Sequence, residues 1–168
     1  MRYRIVFAAA ALILFGGLDL FCEPASKIQA DRILIEKKAH RMTVYAGGKE
    51  LKHYKVAIGR GGMGKKMREG DKLTPEGLYR IDKRNPQSSY HLSLHLSYPN
   101  ADDIAAAARA GENPGGDIMI HGALNGFGWL GRLHTLFDWT LGCVAVTDKE
   151  IEELWTLVPD GIEVEIRP

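Results

Sequence analysis

Residues 91–97 read His91-Leu92-Ser93-Leu94-His95-Leu96-Ser97, an alternation without exception. In an extended chain successive side chains point to opposite faces, so Leu92, Leu94 and Leu96 share one face and His91, Ser93, His95 and Ser97 the other. The pattern predicts a β-strand with one face on a hydrophobic core; the polar set is read as the solvated face of an antiparallel sheet, the commoner case, with the lining of a cleft as the alternative. Toward the N-terminus, Leu78 to Asp82 reads as a further strand behind the turn Thr74-Pro75-Glu76-Gly77. Gly59 to Gly64 and the charged run Lys65 to Lys72 form a long exposed loop before it. Ile33 and Ile35, then Met42 and Val44, then Leu51 to Ile58 beyond Gly47-Gly48, predict a hairpin.

Toward the C-terminus two helices are legible. Asp102 to Ala110 is Ala-rich, begins with acidic residues that suit a helix N-terminus and stops at Gly111. Thr147-Asp148-Lys149-Glu150 is a capping box, and Ile151, Leu154, Trp155 and Val158 follow on one helical face. After the turn Pro159-Asp160-Gly161, Ile162, Val164 and Ile166 alternate as a last strand. Residues 31–168 therefore read as one mostly β domain with a helix after Cys143 and one short Ala-rich helix. Composition agrees: of 168 residues 45% are hydrophobic and 26% charged, and the 19 glycines imply a chain that turns often. The net charge of +1 gives no basic stripe, which argues against nucleic acid as a partner.

Residues 1–30 form a separate segment. Arg2 and Arg4 precede the uncharged run Ile5 to Leu18, the basic flank and apolar stretch of an export signal. The run is shorter than the roughly 17 to 25 apolar residues of a spanning helix, although continuation to Cys22 would allow an uncleaved anchor. Cleavage and inner-membrane anchoring both stay open; either places the domain in the periplasm. Asp19-Leu20-Phe21 lacks the small side chains expected before a lipidated Cys22.

Only Cys22 and Cys143 exist, so a structural disulfide is not expected and Cys143 is a lone thiol in an oxidising compartment. Asp117-Ile118-Met119-Ile120-His121-Gly122 reads as a buried strand that delivers His121 at its end. Thr140-Leu141-Gly142-Cys143 leads into Val144-Ala145-Val146 and the capped helix. An imidazole within reach of a thiol takes its proton and makes it a nucleophile. Gly142 clears space beside the thiol and lets backbone N–H groups approach a developing oxyanion. These parts suit acyl transfer.

The pair His121-Gly122 with Thr140-Leu141-Gly142-Cys143 resembles the signature of the L,D-transpeptidases with a YkuD-type (ErfK-like) catalytic domain, His-Gly followed by Ser/Thr-x-Gly-Cys. The strand Tyr54-x-Val56-x-Ile58-Gly59 and the turns Thr74-Pro75-x-Gly77 and Pro159-Asp160-Gly161 are similar to that domain too. The resemblance implies mixed β-sheets in a sandwich-like fold and a cysteine enzyme that needs no cofactor and no metal. It further implies peptidoglycan stem peptides as partners: the carbonyl of the third residue of a tetrapeptide stem is attacked, D-Ala is expelled, and the acyl group passes from Cys143 to an amine. Carried over, Cys143 is the nucleophile, His121 the acid/base and Gly142 part of the catalytic turn, with Gly122, Trp139 and Thr140 on the substrate side. Leu141 and Ala145 stand where many members have His and Arg. The segment from Gly142 to Asp148 is similar to members that hydrolyse the bond between peptidoglycan and an attached lipoprotein. The 22-residue separation of His121 and Cys143 makes Asn125 to Phe137 an enlarged wall or lid over the cleft. Two rival readings are a zinc peptidase built on His91, His95, His121 and Cys143, and a non-catalytic wall-binding module.

Overall fold

The computed structural model describes residues 29–168; of the export segment read over residues 1–30, residues 1–28 lie outside them, while Ala30 is buried in the core and donates its N–H to the Leu157 carbonyl at 3.0 Å. The chain runs through β1 (Arg32–Glu36), β2 (Arg41–Ala46), β3 (Lys49–Lys55), β4 (Gly77–Ser88), β5 (His91–Leu96), α1 (Ala101–Ala110), β6 (Met119–His121), β7 (Val144–Ala145), α2 (Asp148–Leu157) and β8 (Glu163–Arg167), with a 3-10 segment at Gly128–Leu136. The eight strands form one mixed sheet in the order β3-β2-β1-β8-β4-β5-β6-β7. β1 pairs with β8 and β6 with β7 in parallel; the other pairings are antiparallel. The order is continuous because β4 runs through both halves and joins them: Gly77–Arg80 pairs with β8, and the rest pairs with β5. The two ends of the order meet where the chain beyond β3 bridges to the region of β7, at Ala57–Ala145 and Gly59–Thr140.

β4 is longer than the strand expected at Leu78 to Asp82. Its second half is interrupted by irregular register between Ile81 and Lys83 and between Asn85 and Ser88. Such bulges break the alternation that marks a strand in sequence, and Pro86 hides it further.

The alternation in β5 has the predicted consequence on one side: Leu94 and Leu96 are fully buried and join Ile118, Ile120, Val144, Val146, Ile151 and Leu154 in the core. The other side differs from the solvated face expected, since Ser93 is buried and His95 half-buried. His91 has a left-handed backbone, φ 65°, and directs its imidazole to Glu152 of α2 at 2.7 Å. Both helices begin at side-chain caps: Asn100 accepts the Asp103 N–H at 3.0 Å, and Thr147 accepts that of Glu150 at 3.3 Å.

The loop between β3 and β4 is tied to the domain by a buried ammonium. Lys37 Nζ donates to the carbonyls of Gly64 and Thr74, at 2.7 and 3.0 Å, and to Glu76 at 2.7 Å. An ammonium has three protons, and here each has an acceptor, which is the condition for burying it.

Candidate active site

The register of β6 and β7 brings the two sequence-predicted reactive groups together. Ile120 pairs with Val144 and His121 with Ala145, in parallel. Ile120 and Val144 belong to the core. Side chains alternate, so Met119, His121, Cys143 and Ala145 belong to the opposite face. His121 and Cys143 are thus diagonal neighbours on adjacent strands, and both line one cavity of about 560 Å³.

Each is held by its immediate surroundings. The His121 Nδ1 lies 2.7 Å from the Gly122 carbonyl, so Nδ1 carries the proton and Nε2 is left with a lone pair. The imidazole packs on Tyr90, with ring centroids 4.5 Å apart, and meets Trp139 edge-on at 5.7 Å. Burial disfavours the imidazolium and, against the help of the Gly122 carbonyl, lowers the His121 pKa to about 4. Burial also raises the pKa of the Cys143 thiol, opposed by a hydrogen bond from the Met119 backbone. The resting pair is therefore a neutral thiol and a neutral imidazole, not an ion pair. The thiol donates to the Asp117 carbonyl at 3.6 Å.

Two glycines are demanded by close approach. Gly142 has φ 132°, a region that disfavours side chains, and a Cβ there would stand 2.8 Å from the Leu73 carbonyl. A Cβ on Gly122 would stand 2.6 Å from Asp148 Oδ1, the atom that accepts the Ala123 N–H at 2.8 Å. Thr140 shapes the turn from within: its hydroxyl donates to the Cys143 carbonyl at 2.7 Å and accepts the Gly142 N–H at 3.2 Å.

Trp139 and Thr140 line the cavity with Cys143 and His121, whereas Gly122 and Gly142 are not among its lining residues. The expected lid takes a different place. No residue of Asn125 to Phe137 lines this cavity; Phe127, Leu130, His134 and Phe137 instead surround a neighbouring apolar pocket, and Trp139 is common to both. The stretch folds into the 3-10 segment, which turns its apolar side chains to that pocket and outward: Trp129 is 77% exposed and Phe137 74%.

The opposite wall comes from the charged loop read as merely exposed. Lys66, Glu69, Gly70 and Lys72 line the cavity, with Gly115, Gly116 and Asp117 beside them. Lys66 is buried and pairs with Asp71 at 2.8 Å. Burial would raise the Asp71 pKa, but Lys66 and the N–H groups of Arg68, Met67 and Leu73 together lower it to about 2. Tyr90, Asp117, Asp148 and Lys66 carried no mark in the sequence as site residues, since each reaches the site through a fold contact. The histidines of the zinc reading are engaged elsewhere: His91 with Glu152, and His95 with Asp82 at 2.6 Å.

Residues 30–166 match the YkuD family, described as the L,D-transpeptidase catalytic domain. YafK of Escherichia coli (strain K12), which bears a provisional L,D-transpeptidase name, is 32% identical over 114 residues, 67% of this chain and 39% of YafK. The chain therefore spans well under half the length of the curated relatives it matches. Among solved structures, the helical cell shape determining protein Pgp2 from Campylobacter jejuni is similar with a TM-score of 0.64 at 26% identity, over 83% of this chain and 48% of Pgp2. An L,D-transpeptidase from Mycobacterium smegmatis shares the fold with a TM-score of 0.56 at 14% identity, over 83% of this chain and 59% of that one.

Proposed function

The chain belongs to the L,D-transpeptidase catalytic domain family, and from that premise we propose that it is a cysteine acyltransferase acting on peptidoglycan stem peptides, with Cys143 as nucleophile and His121 as acid/base. The observation that carries the reading is the placement of both groups on one face of β6 and β7, in one cavity, with Nε2 of His121 free to accept a proton.

The neutral resting pair sets the order of events. As the sulfur approaches the carbonyl carbon of the stem peptide, the thiol proton leaves the Asp117 carbonyl for His121 Nε2, and the C–S bond forms. The Cys143 N–H is the oxyanion donor, because Thr140 already engages that of Gly142. His121 then protonates the departing amine, the C–N bond breaks and a thioester remains. Buried surroundings keep the imidazole unprotonated at neutral pH, ready to take the thiol proton, and make the imidazolium acidic enough to release that proton to the leaving group. The N-terminal segment carries the domain into the periplasm, as a cleaved signal or an inner-membrane anchor.

A second reading, hydrolysis of the thioester, is favoured by one observation: none of Asn125 to Phe137 covers the cavity, so water is not excluded from that side. Incubation of the protein with a defined tetrapeptide stem and a D-amino acid, followed by mass spectrometry, tests both. Exchanged tetrapeptide supports transfer; tripeptide alone at high amine concentration replaces it with hydrolysis; unchanged donor defeats both.

A further inference from the structure

The apolar side chains that the core does not cover are gathered in one stretch. Among the described residues eleven large hydrophobic side chains are exposed, and seven of them fall between Leu124 and Leu141. Single exposed hydrophobes need no explanation, but a concentrated set marks a surface that something covers. The 3-10 segment Gly128–Leu136 is inverted for a segment facing water: its one buried residue is Thr135, which donates to the Arg132 carbonyl at 3.0 Å, while Trp129, Leu133 and Leu136 are exposed. Phe137 continues the apolar ridge.

The charge of the ridge has one sign. Residues 123–137 contain no Asp, Glu or Lys and a single Arg, Arg132, whose side chain is 85% exposed. The carboxylates beside the ridge are engaged: Asp138 faces His40 at 3.1 Å, Asp148 accepts the Ala123 N–H at 2.8 Å, and Glu150 lies 3.9 Å from Arg132. Protruding Trp, Phe and Leu with an arginine and no exposed acid suit the boundary between the acyl chains and the anionic headgroups of a bilayer.

The chain enters the domain close to this ridge. Ala30 is fixed to the Leu157 carbonyl at the C-terminal end of α2, and Gly128 lies against the Asp148 carboxylate at the other end. The helix has 10 residues, a length of about 15 Å. Between the apolar run Ile5 to Leu18 and Ala30 stand residues 19–29, which span at most about 40 Å. An anchor formed by that run therefore keeps the ridge within reach of the same bilayer, and a tethered surface needs little affinity of its own.

We propose that Leu124 to Leu141 is a membrane-docking surface, with Trp129, Leu133 and Phe137 seated in a phospholipid bilayer and Arg132 at its phosphates. The inference goes beyond the acyl-transfer chemistry and takes the N-terminal segment in its anchoring role. Leu141 lines the thiol cavity, and Trp139 is shared between that cavity and the apolar pocket of the ridge, so docking sets the mouth of the active site at the membrane surface.

The test reconstitutes the full chain in vesicles of phosphatidylethanolamine and phosphatidylglycerol, with and without phosphatidylcholine whose acyl chains carry bromine, a contact quencher of indole. The three tryptophans are Trp129, Trp139 and Trp155, so the emission reports on the domain and not on residues 1–28. Subtracting the emission of Trp129→Phe isolates Trp129. In the parent that emission is expected to lose more than half its intensity in brominated vesicles. In Leu133→Glu with Phe137→Glu it is expected to stay unquenched, while both proteins float with the vesicles and share one circular dichroism spectrum. A parent that floats with Trp129 unquenched overturns the docking and leaves the anchor standing; a parent that does not float overturns both. Equal quenching in the double variant also overturns it, as does a Trp129 emission that shifts with protein concentration instead of bromine, which would assign the ridge to a second copy of the chain. Acylation of Cys143 by a tetrapeptide stem is read separately, and its failure defeats the proposed function alone.

Discussion

The Tyr90 ring lies 4.5 Å from the His121 imidazole, its plane inclined by 36°, and the Tyr90 carbonyl accepts the Gly122 N–H at 3.1 Å. One turn residue between β4 and β5 therefore holds the imidazole by its face and the following residue by its backbone. A stacked aromatic pair contributes about 0.5–1.5 kcal/mol. Tyr90→Ala is expected to lower kcat about three- to tenfold with little change in KM, and Tyr90→Phe to keep parental activity, because the contact is made by the ring. Steady-state kinetics of the two variants decide this, and equal losses in both would shift the role to the hydroxyl.

Cys143→Ala is expected to abolish turnover and covalent labelling by a thiol-reactive acyl probe while leaving the circular dichroism spectrum unchanged, since Ala fits the space of the thiol. His121→Ala is expected to slow acylation by roughly 10² to 10⁴, the usual effect of losing a positioned acid/base. Full acylation in His121→Ala would show that the thiol is activated by another group.

The buried imidazole also makes stability depend on pH. His121 titrates at about 4 when folded, against 6.5 ordinarily, so between these values the unfolded chain binds the extra proton and the folded one does not. Stability contributed by the neutral form is complete above pH 6.5 and is lost as pH falls toward 4, by on the order of 3 kcal/mol. Urea unfolding at pH 7 and pH 4.5 should show this loss in the parent and a clearly smaller one in His121→Gln. The same shift predicts that activity persists well below pH 6.5, with its acid limb nearer 4.

Asp148 locks the residue after His121. Gly122→Ala places a methyl group against Asp148 Oδ1 and the Tyr90 carbonyl, where a Cβ would stand at 2.6 and 3.1 Å. Overpacking of this kind costs about 1–3 kcal/mol, and the displaced His121 is expected to lose more than tenfold in kcat. Asp148→Ala relieves the clash, so the double variant should recover part of the lost stability in thermal unfolding; strict additivity would show that the two residues do not meet.

Lys66 and Asp71 form an ion pair whose side chains are 4% and 10% exposed. Removal of one member of a buried pair costs about 3–5 kcal/mol because the other charge is left without compensation. Asp71→Asn is expected to destabilise at the lower end of that range, since its amide still accepts hydrogen bonds, and to raise KM for the stem peptide by loosening the Lys66–Lys72 wall of the cavity. Denaturant unfolding and donor titration measure the two effects separately.

What the sequence by itself determined was local. Alternation in residues 91–97 and 162–166, the Thr147 capping box and the Gly111 stop each depend on neighbours a few positions away, and those elements stand in the structure at β5, β8, α2 and α1. The Thr140-Leu141-Gly142-Cys143 turn and His121-Gly122 were legible as chemistry for the same reason, since residue type and spacing are local facts. Only the tertiary structure decided what depends on register between distant segments. It ran β4 through both halves of a single sheet, set His121 diagonal to Cys143, and lined the cavity with Lys66 to Lys72 in place of Asn125 to Phe137. It also turned Trp129 and Phe137 outward and buried His121 deeply enough to make the resting pair neutral. Strand pairing and desolvation are properties of the whole chain: a one-residue slip in β6 would send His121 into the core, and no short window of sequence records which register the packed core permits.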